Sequence, residues 1–270
     1  MNPRFSMNVV TTWNWDLGTC VDTYARLGIP AIGLTRASVA QFGPDKAPKR
    51  IRDAGLKVAS YSGITSRGVG SDNSKAALDD ACKQMDIGAT LGATCLYTIS
   101  GPREGLSWEE AGKRFQQGVA ALVPQAEKRN VRLAIEPVHP MRQDLTFLNT
   151  ARDTVRLIKP FPASRVGYVC DFYHIWWESD ILDTIRTAPE RIFTVQLSDH
   201  KSKTLKTMDR GMLGKGIMPL PQMLRAVEAT SYKGYYDIEV ISDDMQQMGY
   251  ENAVKQIIAD FDALWAKTHA

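Results

Sequence analysis

Cysteine and histidine are both scarce in this chain, and long apolar runs and clusters of basic residues are missing. The four cysteines, Cys20, Cys82, Cys95 and Cys170, show no CxxC spacing. That argues against a disulfide framework or a thiolate-rich zinc site, and leaves buried free thiols in a reducing compartment as the expected state. The four histidines begin only at His139, so the N-terminal half offers no imidazole. No apolar stretch reaches the ~18 residues of a membrane span. The first residues, Met1 to Asn8, carry no apolar core of a signal peptide, so a cytoplasmic protein is expected. A net charge of +3 with scattered basic residues gives no electrostatic case for nucleic acid or a membrane surface as partner. No linker, low-complexity segment or break in composition divides the 270 residues. A single domain, 1–270, is expected, close to the ~250 residues typical of one closed α/β barrel.

What the chain does have is alternation. Apolar runs that read as strands are Ser6–Thr12, Ala31–Thr35, Lys57–Ser62, Thr94–Ile99, Leu133–Glu136, Gly167–Asp171, Phe193–Ser198 and Tyr236–Val240. Between them lie helical patterns such as Lys75–Leu91 and Ala111–Arg129. In the first of these, Ala77, Leu78, Ala81, Met85 and Gly88 recur on one helix face. Strands alternating with helices give a parallel sheet, and eight such units predict an α/β fold closed as a (β/α)8 TIM barrel.

Four residues with metal-binding side chains stand where apolar runs stop: Glu136, Asp171, His200 and Glu239. The intervals between them are 35, 29 and 39 residues, near the ~30 or more that a βα unit needs. They are therefore expected at the C-terminal ends of four successive strands, where active sites of such barrels are built. Glu136 precedes Pro137, which favours an extended backbone there and ends the strand. Three carboxylates and one imidazole form a hard, oxygen-rich set, which suits Mn²⁺, Mg²⁺ or Co²⁺. Glu136 and Glu239 are also candidates for acid–base work on a proton next to a sugar carbonyl. The loops that follow the strands carry Trp13, Trp15, Tyr61, His139, Trp176, Trp177 and the segment Lys201–Gly216. Aromatic faces at a barrel mouth suit the C–H faces of a sugar, and Trp13 and Trp176 are the candidate platforms.

These residues match a known pattern. Glu136-Pro137, Asp171-Phe172-Tyr173-His174, His200 and Glu239 resemble the metal motif of the xylose isomerase-like TIM barrel superfamily. The runs Ala134 to Met141, Tyr173 to Trp177 and Asp209 to Gly216 are similar to those of its bacterial sugar phosphate isomerase/epimerase group, which includes inosose isomerases and ketose 3-epimerases. The resemblance implies one divalent cation held by Glu136, Asp171, His200 and Glu239. Mn²⁺ is the first choice, with Mg²⁺, Co²⁺ and Zn²⁺ as the other candidates. It implies His174 and Arg210 as holders of substrate oxygens, a small sugar or polyol ketone as substrate, and isomerisation or epimerisation through an enediolate. A homo-oligomer, dimer or tetramer, is the implied assembly. His139 resembles the extra base of C-glycoside deglycosidase catalytic subunits, which work with a second subunit on 3-keto-glycosides. A metal-dependent lyase of that kind, or a keto-sugar-acid decarboxylase, is the alternative reading. An apurinic endonuclease shares the fold, but it needs early imidazoles for its zinc ions, and this chain has none before His139.

Overall fold

A computed structural model of the protein describes residues 1–269 apart from Ser66, Leu205 and Thr207. The last two belong to the Lys201–Gly216 segment and lie outside the described residues. Among the described residues, ten strands form: β1 (Phe5–Asn8), β2 (Ala31–Thr35), β3 (Lys57–Ser62), β4 (Leu96–Thr98), β5 (Leu133–Ile135), β6 (Val166–Asp171), β7 (Ile192–Leu197), β8 (Asp199–His200), β9 (Arg210–Gly211) and β10 (Tyr236–Ile238). Eight of them close into a parallel barrel in the order β1-β2-β3-β4-β5-β6-β7-β10, with β10 pairing back onto β1. The fold is the expected TIM barrel. The other two strands, β8 and β9, form a two-residue antiparallel ladder above the end of β7.

Helices separate the strands, and their starts follow from capping side chains. Asp16, Thr35, Ser74, Ser107 and Thr150 each accept a hydrogen bond from the backbone three residues on. This satisfies one of the donors that a helix start leaves unpaired. Ser107 and Glu110 complete a reciprocal capping box, so that helix begins at Trp108, three residues earlier than its apolar pattern suggests. Among the described residues no helix is long and apolar enough to cross a membrane. All four cysteines are free.

The barrel interior is apolar in most layers but not below the mouth. Asp237 on β10 is fully buried. Its carboxylate accepts from Ser6 Oγ at 2.7 Å, Asn8 Nδ2 at 2.9 Å and Ser60 Oγ at 3.0 Å. A carboxylate in that position is tolerable only with such donors. Gly33 on β2 makes the room, because a Cβ there would lie 2.2 Å from Asp237 Oδ2. Asn8 also ends β1. Its Oδ1 accepts from the Val10 N–H at 3.2 Å and starts a 3-10 turn over Val9–Thr12. The first strand therefore stops at Asn8, where the apolar run alone predicts Thr12.

Burial pushes the Asp237 carboxyl up to about 6, against three hydrogen bonds that lower it. A folded-state value above the ordinary 3.8 means that the native protein holds the proton more tightly than the unfolded chain. The resulting stabilisation is complete at low pH and is lost as pH rises through about 6. Urea unfolding should show Asp237→Asn gaining on the wild type by up to about 3 kcal/mol between roughly pH 4 and pH 7. A gap that does not change with pH would contradict this account.

Candidate metal centre

The ends of β5, β6, β7 and β10 set the site. Glu136 follows β5 directly, and its N–H donates to Thr98 O at 2.9 Å, which extends the strand pairing by one residue. Asp171 is the last residue of β6. Its Oδ1 accepts the Tyr173 N–H at 2.9 Å and so caps the four-residue helix Phe172–Ile175. Glu239 follows β10, with its N–H on Leu197 O at 3.0 Å. Gln196 on β7 stands beside Asp171 in the β6–β7 register. All four side chains are buried, Glu136 and Glu239 at 9% and 7% exposure.

Arg210 joins them. It lies on β9, is 1% exposed, and its N–H is anchored on Ile241 O at 2.9 Å. Its Nη1 sits 2.9 Å from Asp171 Oδ2 and its Nη2 3.0 Å from Glu239 Oε1. The guanidinium also lies over the Tyr173 ring, 4.7 Å from the centroid. Nη2 is 3.2 Å from His174 Nε2. A guanidinium has no acceptor, so His174 Nε2 accepts and the imidazole proton sits on Nδ1. That buried Nδ1 has no hydrogen-bond partner among the described residues.

Burial raises the Glu136 carboxyl well above the usual range, reinforced by the charges of Glu239 and Asp171. Burial likewise raises Asp171, opposed by Arg210, and pushes Glu239 up to about 7. His174 moves the other way: burial, then the Arg210 charge and the nearby His139, depress it well below the ordinary imidazole value. The site thus holds a neutral imidazole and carboxylates that resist losing their last proton.

Placement of the expected site residues is uneven. Glu136, Asp171 and His174 bring one ligand atom each to within 4.8 Å of one another. Glu239 reaches them through Arg210. His200 joins no such group among the described residues. It lies on the β8–β9 ladder, its Nδ1 2.8 Å from Lys201 O, and its ring stacks on Tyr173 at 5.3 Å and leans on Trp176 at 5.4 Å. The side chain that faces the carboxylates from β7 is Gln196. Its Nε2 donates to Glu239 Oε2 at 2.7 Å and to Tyr97 OH at 3.2 Å. With the amide oriented by that carboxylate, its Oε1 is buried and accepts no hydrogen bond.

The residues fit a divalent cation. Among the described residues Gln196 Oε1 is a buried oxygen without a hydrogen bond and the Glu136 carboxylate accepts none, whereas Asp171 Oδ2 has Arg210 Nη1 at 2.9 Å. Orphaned buried acceptors are costly unless a cation uses them. Three carboxylates against one guanidinium leave a negative excess of two when all are ionised, and an all-oxygen set is hard.

Outside this cluster, a cavity of about 280 Å³ opens, lined by His139, Met141, Tyr173, Trp176, Trp177 and His200 among others. The His139 and His174 ring centroids are 5.0 Å apart. Trp13, 70% exposed, lines a different cavity of about 360 Å³ with Asp209, Asp243 and Tyr250. Among the described residues only Lys206 borders both.

A family model described as xylose isomerase-like TIM barrel matches residues 21–265. A structure of a protein from Sinorhizobium meliloti 1021 is 29% identical, covers 97% of this chain and 98% of its own, and superposes with a TM-score of 0.87. The IolI protein, solved with a bound zinc atom, is 17% identical over 98% of this chain and 99% of its own, with a TM-score of 0.86. The 3-keto-D-glucoside 4-epimerase from E. coli is 15% identical over 95% of this chain and 99% of its own, with a TM-score of 0.74. No curated protein matches the sequence.

Calorimetric titration with Mn²⁺ should give one site per chain. Glu136→Gln and Gln196→Leu should each weaken it by roughly 10- to 100-fold or more. His200→Ala should change it by less than about threefold, since the imidazole stands in the aromatic wall. A larger loss for His200→Ala than for Gln196→Leu would return the fourth ligand position to His200.

Proposed function

The chain belongs to the xylose isomerase-like TIM barrel family, and from that premise we propose that it is a divalent-cation-dependent isomerase or epimerase of a keto-sugar or polyol ketone. The observation that carries this reading is the pair Glu136 and Glu239. Both are nearly buried, face one cluster, and are pushed toward the neutral form by burial and by neighbouring charge. Two carboxyl groups held on one cluster can take one proton and deliver another.

In the reaction, one of the two carboxylates takes the proton from the carbon beside the carbonyl. The other, protonated at the start, delivers its own proton, to the opposite face for epimerisation or to the neighbouring carbon for isomerisation. Negative charge on the enediolate oxygens is met by the Arg210 guanidinium and the unpartnered His174 Nδ1–H. Glu136, Asp171, Glu239 and Gln196 Oε1 would hold the cation, Mn²⁺ by preference for the hard oxygen set, which supplies Lewis-acid stabilisation when bound. Trp176 offers an aromatic face to the substrate from the cavity wall.

A second reading, lyase action on a 3-keto-glycoside, is favoured by His139. It is buried, borders the aromatic cavity and stands beside His174. There His139 would take the proton and a leaving group would depart from the next carbon.

Two sets of variants test this. Screened on keto-sugars in D₂O, the wild type should wash solvent deuterium into the position next to the carbonyl. Glu136→Gln and Glu239→Gln should each abolish the exchange, and exchange that survives in either would leave that residue a ligand only. His139→Ala should cost about 10-fold if the two-carboxylate reading holds, against 10²–10⁴-fold if His139 is the base. A large loss accompanied by cleavage products would move the chain to the lyases.

A further inference from the structure

Among the described residues, Arg210 is the cationic side chain in contact with the proposed ligands. It is fully buried on β9, and it reaches two of the proposed ligands, Asp171 at 2.9 Å and Glu239 at 3.0 Å. Its backbone is fixed by Ile241 O and by the β8–β9 ladder, and its guanidinium is packed on the Tyr173 ring. The nearby imidazole of His174 accepts from it and carries no charge in that state. Among the described residues, the fixed charges in contact with the carboxylate cluster are therefore the carboxylates and this guanidinium.

A fixed positive charge repels a second cation in proportion to that cation's charge. A trivalent ion feels the repulsion half as strongly again as a divalent one, and burial keeps solvent from screening the difference. We propose that Arg210 is a specificity-determining residue for cation charge: by offsetting one of the three carboxylate charges it lowers the cluster's preference for a trivalent over a divalent ion. This rests on the reading of the cluster as a cation site, and it assigns to Arg210 a task separate from holding substrate oxygens.

The test compares Mn²⁺ and Tb³⁺ on the full chain, using calorimetry and terbium luminescence in competition, with no substrate present. Ion size contributes equally in each variant, so the change in the ratio of affinities isolates charge. Arg210→Gln should raise the preference for Tb³⁺ over Mn²⁺ by roughly 10- to 100-fold relative to the wild type. Arg210→Lys, which keeps the charge, should leave the ratio within about threefold. If Arg210 only braces the site, both ions weaken together in Arg210→Gln and the ratio stays put, which overturns the inference. If Arg210→Gln does not fold without an ion, the concentrations of each ion that restore half of the far-ultraviolet circular dichroism read the same ratio. Should the wild type bind neither ion, the cation-site reading fails and the inference falls with it. Should it bind both with an unmoved ratio in Arg210→Gln, only the inference falls.

Discussion

One buried guanidinium holds the mouth of this barrel together. Arg210 bridges Asp171, at the end of β6, and Glu239, just past β10, two side chains that would otherwise oppose each other with like charge in a medium of low dielectric. Removing one partner from a buried charged cluster of this kind costs about 3–5 kcal/mol. The same group fixes the tautomer of His174 and packs on Tyr173, which in turn stacks on His200. The carboxylate cluster and the aromatic cavity are thereby parts of one packed unit.

The fold supplies that arrangement through register. Asp171 and Gln196 are neighbours across β6 and β7 because the barrel's shear places them there. Arg210 comes in from outside the barrel, on a two-residue ladder held by Asp199, whose carboxylate accepts from the backbone of His200, Gly216 and Met218. One layer deeper, Asp237 with Ser6, Asn8 and Ser60 makes a second polar shelf that needs Gly33 for space. The interior is therefore polar at two levels on the β10 side, and it relies on hydrogen bonds rather than close-packed apolar side chains there.

Much of this was legible in the chain. The eight apolar runs named the eight barrel strands, two of them, β2 and β3, to the residue. Glu136, Asp171 and Glu239 stood out because a carboxylate that ends an apolar run must be paired with something. His200 was chosen by the same logic, but the run over β7 does not end where it appears to. Ser198, Asp199 and His200 leave the barrel and turn into the ladder, so the imidazole swings to the aromatic wall. A further signal was the alternation Thr194, Gln196, Ser198 along and just past the otherwise apolar β7. With a period of two, it marks the face turned into the barrel. Gln196 carries no charge and does not announce itself as a candidate ligand. Its role depends on which atom is left without a partner, and that only coordinates reveal. Trp13 and Trp176, both read as substrate platforms, border separate cavities, with Lys206 lining each.

The account stands on the convergence of oxygen donors around one cation. Anomalous diffraction from crystals grown with Mn²⁺, collected on both sides of the manganese edge, addresses this most directly. A single peak per chain should appear among Glu136, Asp171, Gln196 and Glu239, with ligand oxygens about 2.0–2.3 Å away. A map with no peak there, or with a peak on His200 and clear of the carboxylates, would contradict it.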